Sequence, residues 1–327
     1  MSRVNRALII VVAAVCVGYY CATSLAQDFP SRPVRLIVPY PPGGGTDALA
    51  RVISKGLYER WRQPVIHDNR PGGDATIGVH LASNAAPDGH TLVMIITTHA
   101  VQPSLKTRLP YDLLRDFSPI IKVAEASSIL VVNPSLKADS VAGLISLAKS
   151  KVGQLNFAGT GVGGPAHLAG ELFNFLAGVK TVHVPYKGGG PALIDVIGGH
   201  VDYMFSTMLA AVPHVQSGRL RAFAVTGSRR SPVVPDLPTV AESGVKGYEF
   251  VTWYGVVTRS GAPRSIIDKL YSEIHAIIKA PEISQSFAAQ GAQIVGSGPA
   301  EFAAYLDSEL KKWARVVKQA NIEPTNE

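Results

Sequence analysis

Apolar residues recur along this chain in two alternating rhythms. Short β-rich runs are separated by stretches in which apolar positions return every three or four residues, which is the pattern of α/β layers. Val34 to Val38 predicts a compact strand ending at Pro39; Leu49, Ile53, Leu57 and Trp61 then fall on one helical face. Further strands are expected at Val65 to His67, Thr91 to Ile96, Ile129 to Val132, Leu155 to Ala158, Val182 to Val184, Tyr203 to Phe205 and Ala222 to Val225. Helices are expected over Val141 to Lys149, Ala166 to Ala177 and Pro191 to Ile197. Towards the C-terminus, Pro263 precedes Ile266, Ile267, Leu270, Ile274 and Ile278, and Pro299 precedes Phe302, Leu306, Trp313 and Val317. Proline suits a first helical position, so two more helices are expected there. The chain carries no repeat of fixed period and no low-complexity tract.

The first 26 residues depart from this rhythm. Arg3 and Arg6 precede an apolar run from Ala7 to Gly18, followed by the small residues Ser24 and Ala26, the pattern of a secretory signal cleaved to leave a chain starting near Gln27. The run is shorter than the ~20 apolar residues of a membrane span. Both cysteines, Cys16 and Cys21, lie inside it, so the mature chain is expected to have no thiol nucleophile and no disulfide, although an exported compartment permits disulfides. The bulky Tyr19 and Tyr20 ahead of Cys21 argue against a lipid-modified cysteine. No later run is long enough to cross a bilayer, which leaves a soluble mature chain in the periplasm as the expectation.

A length of 327 residues with 46% hydrophobic positions excludes disorder for most of the chain and suggests about two domains. The formal net charge of +7 owes two units to Arg3 and Arg6, and the rest is spread thinly. No basic patch interleaved with aromatics is left to hold nucleic acid.

Two glycine loops stand out. Tyr40-Pro41-Pro42-Gly43-Gly44-Gly45-Thr46-Asp47 joins the first strand to the first helix. Its glycines let a ligand approach the backbone, and Thr46 or Asp47 can cap a helix whose free N–H groups suit an anion. The loop lacks the Gly-Lys-Ser/Thr ending of nucleotide-hydrolysing enzymes. The second, Gly159-Thr160-Gly161-Val162-Gly163-Gly164-Pro165-Ala166-His167, also lies between strand and helix. It matches G-x-G-x-x-G, but the following strand region ends in Val184-Pro185-Tyr186-Lys187 with no acidic residue for a ribose, so no nicotinamide cofactor is expected. Two helix N-termini, each worth about half a positive charge, instead suggest a clamp for a carboxylate. His167 either reaches the ligand or is satisfied within its own first turn.

Nothing announces catalysis or a metal. There is no G-x-S-x-G elbow and no H-E-x-x-H, the nine histidines are scattered, and Asp112, Asp116, Asp195 and Asp202 fall where caps and solvated faces account for them.

Several linked segments resemble a known family. Pro33-Val34-Arg35-Leu36-Ile37-Val38-Pro39-Tyr40-Pro41-Pro42-Gly43-Gly44-Gly45-Thr46-Asp47, Asn69-Arg70-Pro71-Gly72-Gly73, Leu109-Pro110-Tyr111-Asp112, Val184-Pro185-Tyr186-Lys187-Gly188, Gly198-Gly199-His200-Val201-Asp202, Leu237-Pro238-Thr239-Val240-Ala241-Glu242-Ser243-Gly244 and Trp253-Tyr254-Gly255 resemble, in order, the substrate-binding proteins of tripartite tricarboxylate transporters, also called Bug receptors. The likeness covers essentially the whole mature chain. It implies an α/β, two-lobed periplasmic binding protein of type II-like architecture, with a ligand cleft between two α/β domains joined by two crossing strands. The first domain would combine residues 27–126 with 251–327, and the second would span 127–250.

The resemblance also implies the site. Tyr40, Pro42, Gly43, Gly44, Gly45, Thr46 and Asp47 would line the cleft from the first domain, and Thr160, Gly161, Gly163, Gly164 and His167 from the second. Thr97 and Thr98 match the family's polar cleft positions, with plain β-propensity as the competing explanation. After Met204-Phe205, where many members carry an acidic residue followed by asparagine, this chain has Ser206-Thr207, which removes a partner for a ligand ammonium. The expectation is a monomeric, non-enzymatic receptor without cofactor or metal. It would capture a small mono- or dicarboxylate, aromatic ones included, and pass it to membrane permease subunits. The alternatives are an exported α/β hydrolase or lyase acting on a small carboxylate and a cofactor-binding oxidoreductase.

Overall fold

The computed structural model describes residues 29–319 except Thr160, Lys187 and Gln290; the expected signal segment and Thr160 thus lie outside the described residues. The first lobe begins with β1 (Val34–Val38), α1 (Gly45–Trp61), β2 (Val65–Asn69), α2 (Thr76–Ser83), β3 (Thr91–Ile96) and α3 (Thr97–Leu105). A sixteen-residue strand, β4 (Phe117–Val132), then runs into the second lobe. There follow α4 (Val141–Ser150), β5 (Asn156–Gly159), α5 (Pro165–Ala177), β6 (Val182–Pro185), α6 (Gly189–Gly198), β7 (Tyr203–Thr207), α7 (Met208–Gln216) and β8 (Arg221–Val225). The chain returns through β9 (Val251–Arg259) and closes the first lobe with α8 (Arg264–Ile278), α9 (Pro281–Ala288), β10 (Ala292–Ser297) and α10 (Pro299–Gln319).

Period-2 and period-3.6 burial explain most of these elements. β1 and β3 are buried nearly throughout, as strands flanked by helices on both faces are. In α8 the residues Ile267, Leu270, Ile274, Ile277 and Ile278 form the buried stripe. Pro299 is the first residue of α10, whereas Pro263 stands one place before α8, as its N-cap.

The crossings are legible in strand pairing. From Phe117 to Ser127, β4 pairs antiparallel with β9; from Ser128 to Val132 it pairs with β7 and β8. The returning chain lies beside it: Thr226 N donates to Ser128 O at 2.9 Å, and Phe250 N donates to Thr226 O at 2.8 Å, immediately before β9. The main core cluster spans both lobes, from Val93 and Ile95 to Leu130 and Phe157, with Phe302 and Trp313 of α10 between them. Glu309 of α10 is only 5% exposed, yet it accepts from the indoles of Trp253 at 3.0 Å and Trp313 at 3.1 Å and from Lys312 Nζ at 3.2 Å. A buried carboxylate is tolerated when its lone pairs are met in this way.

Candidate functional site

The directions of the strands decide where the helix N-termini point. β1 and β3 are parallel, β3 is antiparallel to β9, and β9 is antiparallel to β4, so β1 and β3 run with β4 towards the second lobe. In the second lobe β7 opposes β4 while β5 and β6 run with β7, so these strands head back towards the first. A helix follows each of these five strands. Their N-termini therefore face one another across the space beside the crossings, at the carboxyl ends of the strands where α/β sheets bind ligands.

In the first loop, Pro41 to Gly45 are exposed, and Gly43 has φ +96°, a conformation that strains any side chain. The Asp47 carboxylate braces the turn from beneath. Only 3% exposed, it accepts from Gly43 N at 3.1 Å, Arg51 Nε at 2.8 Å and Asn69 Nδ2 at 2.9 Å, with His67 Nε2 at 2.7 Å. Burial pushes its pKa up, but these donors outweigh burial and hold the group well below the usual carboxylate range. Asn69 also donates to Tyr40 O at 3.0 Å. The Asp47 side chain is thus a brace, which leaves its backbone N–H as the group open to a ligand. The N-cap is Gly44, and the first helical bond runs from Ala48 N to Gly44 O. The N–H groups of Gly45, Thr46 and Asp47 are left unused by the helix.

Thr97 and Thr98 open α3, adding an N-terminus that strand propensity hid. Thr97 donates to Val251 O at 3.2 Å and accepts from Trp253 N at 3.0 Å, which ties α3 to β9 and takes its hydroxyl away from a ligand. Thr98, 9% exposed, neighbours the Tyr40 hydroxyl, which is buried without a hydrogen bond of ordinary geometry. His99 Nδ1 accepts from Ile96 N at 2.9 Å, and burial lowers the His99 pKa to about 4.

The second loop repeats the device. Gly163 has φ +75°, and its N–H donates to His167 Nδ1 at 3.0 Å, one turn into α5. His167 is 4% exposed, its ring centroid 4.2 Å from that of His183 and 6.4 Å from that of Phe157. Burial, with His183 alongside, lowers its pKa to about 3, so it stays a neutral acceptor. The satisfied-histidine alternative is the one the geometry carries. Gly161 and Gly164 remain on the loop, and α5 leaves the N–H groups of Ala166 and His167 unused, since its first bond is Leu168 N to Gly164 O.

Ser206 requires a correction. It lies opposite Ile129 in the β4–β7 ladder, shares its face with Met204, and is 2% exposed, so its side chain turns into the core of the second lobe. Thr207, one residue on, is exposed and forms the N-cap of α7. Period-2 alternation swaps the two.

Three elements escaped sequence reading. Tyr254 reaches from β9 to the first loop, where a Cβ on Gly45 would stand 3.0 Å from its hydroxyl. Gly188, Gly189 and Gly190 open α6 with free space around each, the same glycine-run signal as the first loop. Asp74 and Ala75, ahead of α2, hold φ values of +52° and +73°, and Gln102 clamps the backbone at Asp74 O. Strain of this kind, about 1–3 kcal/mol per residue, persists only where the surroundings impose it. Among the described residues there is no cluster of three metal-ligating side chains and no helix long and apolar enough to cross a membrane.

Known proteins similar to this chain share its family and fold. A family model described as "Tripartite tricarboxylate transporter family receptor" matches residues 49–322. Protein BugT of Bordetella pertussis is 36% identical over 319 residues, covering 97% of this chain and 98% of the relative. Among solved structures, an R. palustris protein with adipate superposes with a TM-score of 0.80 at 34% identity, covering 91% of this chain and all of that one. MatC of Rhodopseudomonas palustris with bound malate gives 0.76 at 30% identity, covering 88% of this chain and 100% of its own. The periplasmic binding protein BugD gives 0.77 at 29% identity, covering 91% of this chain and 100% of its own.

Proposed function

The chain belongs to the tripartite tricarboxylate transporter receptor family, and from that premise we propose that it captures a small carboxylate lacking an ammonium group between its lobes. It is a solute-binding receptor and not an enzyme, which sets aside the exported hydrolase or lyase and the oxidoreductase. The chain is exported to the periplasm, and the mature monomer delivers its ligand to the membrane subunits of such a transporter. Residues 27–126 with 251–327 make one lobe and 127–250 the other.

One observation carries the reading: helix N-termini from both lobes face a common space, while the acidic residue of the first loop is consumed internally. An oxyanion meets the loop N–H of Gly44 and the unused N–H groups of Gly45 and Thr46 on one side, and those of Ala166 and His167 on the other. The hydroxyls of Thr98 and Tyr40 take its distal end. An ammonium would find no free carboxylate on the first-lobe loops, since Asp47 is fully bonded and Asp74 is paired with Lys106 at 3.2 Å. A buried ammonium without a partner retains much of its desolvation cost. The adipate and malate of the two R. palustris structures support the same ligand class.

Calorimetric titration with succinate, adipate, benzoate and aspartate tests the proposal, with recovery of unmodified ligand as its control. The carboxylates without an amine are expected to bind more tightly than aspartate. Gly44→Pro, which removes a loop N–H, should weaken succinate binding about 10-fold or more, the equivalent of roughly 1.5–3 kcal/mol for a hydrogen bond to a charged group. Preference for aspartate, or normal binding by folded Gly44→Pro, would refute it.

A further inference from the structure

A cavity of about 480 Å³ lies at the crossing strands and shares no lining residue with the glycine loops. Its volume is within the range of small-molecule sites, roughly 300–1,000 Å³. The floor is Glu125 and Ser127 of β4 with Val251 of β9; the second lobe supplies the segment from Gly227 to Pro232, and the first lobe supplies Ser284 of α9 and the turn from Gly291 to Ile294. The lobes touch beside it, where a Cβ on the lining Gly291 would come within 2.8 Å of Met208 Sδ.

The charges around this cavity do not cancel. Glu125 is bonded to Lys122 at 2.8 Å, and Arg230 to Glu242 at 3.0 Å. Arg229 is exposed and makes no ion pair among the described residues. A guanidinium is a planar fork of donors matched to carboxylate oxygens, and it is hard to replace by lysine at a bidentate site. Ser228, Ser284 and Gln293 line the same cavity, residue types whose polar groups suit hydroxyl substituents.

We infer that this cavity is a second ligand site, for a small hydroxylated carboxylate held by Arg229. Its occupant touches both lobes and both crossing strands. The inference is independent of the cleft between the glycine loops.

Citrate and inorganic phosphate serve as probes in calorimetric titrations of the full mature chain. In Gly44→Pro, whose cleft binds more weakly, citrate should keep one saturable event at its wild-type affinity. Adding Arg229→Ala, a change at an exposed position, should weaken that event at least 10-fold, and Ser284→Trp, which fills the cavity, should abolish it. The inference is overturned if citrate does not bind Gly44→Pro, if neither substitution alters its affinity, or if phosphate binds at least as tightly as citrate. Loss of succinate binding by the wild-type chain, with citrate binding retained in Gly44→Pro, would remove the cleft reading and leave this one standing.

Discussion

Asp47, His99 and His167 each sit in the first turn of a helix and reach back to a backbone N–H of the preceding segment: Gly43, Ile96 and Gly163. Each fixes one donor and so determines which neighbouring N–H groups stay free for a ligand. His167→Leu orphans the Gly163 N–H and should weaken succinate binding by about an order of magnitude, since an unsatisfied buried donor costs about 1–3 kcal/mol. His167→Gln, which keeps an acceptor, should recover part of that affinity in the same titration; equal losses for both would remove the positioning role. The histidines also set a pH dependence. Burial lowers His99 to about 4, His167 to about 3 and His183 to about 4, against about 6.5 in the unfolded chain. Between those limits the unfolded state binds more protons, so stability is full above pH ~6.5 and falls as pH drops towards 4. Asp47, whose folded pKa is depressed, contributes stability that is present above its unfolded value of ~3.9 and is lost only at lower pH. Thermal unfolding midpoints measured from pH 7 to 4 should therefore decline in the wild type and decline less in His99→Gln; an unchanged slope would exclude His99 as a contributor.

At the scale of elements, α10 packs closely on β9. Gly255 faces Phe302 so closely that a Cβ would overlap the ring, while Glu309 binds the Trp253 indole nearby. Gly255→Ala should destabilise the fold by about 1–3 kcal/mol through overpacking, read as a lower urea midpoint at unchanged m-value; an unshifted midpoint would mean that α10 moves aside freely. The same junction shows why some elements were legible and others hidden. β1, apolar apart from Arg35, and β3, apolar after Thr91, have observed bounds that match the pattern. Only Ile129 to Val132 of β4 reads as strand from sequence. Its first three-quarters contain Pro119, Lys122, Glu125, Ser127 and Ser128, whose polarity is offset by tertiary contacts such as Lys122 to Glu125 and to the Tyr305 ring at 3.6 Å. α3 starts with two β-branched residues and contains Pro103, and its Thr97 is held by β9 from 154 residues away in sequence. Glycine loops are legible because backbone freedom is written locally. The brace on Asp47 is not, because His67 and Asn69 arrive from β2.

On the scale of the whole molecule, two segments join the lobes among the described residues: β4 at Ser127–Ser128 and the return at Phe250–Val251. Side-by-side crossings of this kind let two rigid sheets rotate while few backbone dihedrals change, the arrangement of hinge closure. Contacts between the lobes limit the rotation: a Cβ on Gly163 would come within 2.8 Å of Leu105 Cδ1, and the Gly291–Met208 approach lies beside the crossings. A ligand gripped by N-termini of both lobes has differential affinity for the closed form, which is the condition for shifting a population towards it. Small-angle scattering of the mature chain should therefore show a smaller radius of gyration with saturating succinate than without. The Gly44→Pro chain should contract less at the same succinate concentration, because its first lobe has lost part of the grip, whereas Arg229→Ala, remote from the glycine loops, should contract as the wild type does. Calorimetry on the same samples separates the outcomes. Saturable binding with an unchanged scattering profile would mean that the lobes are already set at their final angle and that the crossing strands act as a rigid spacer.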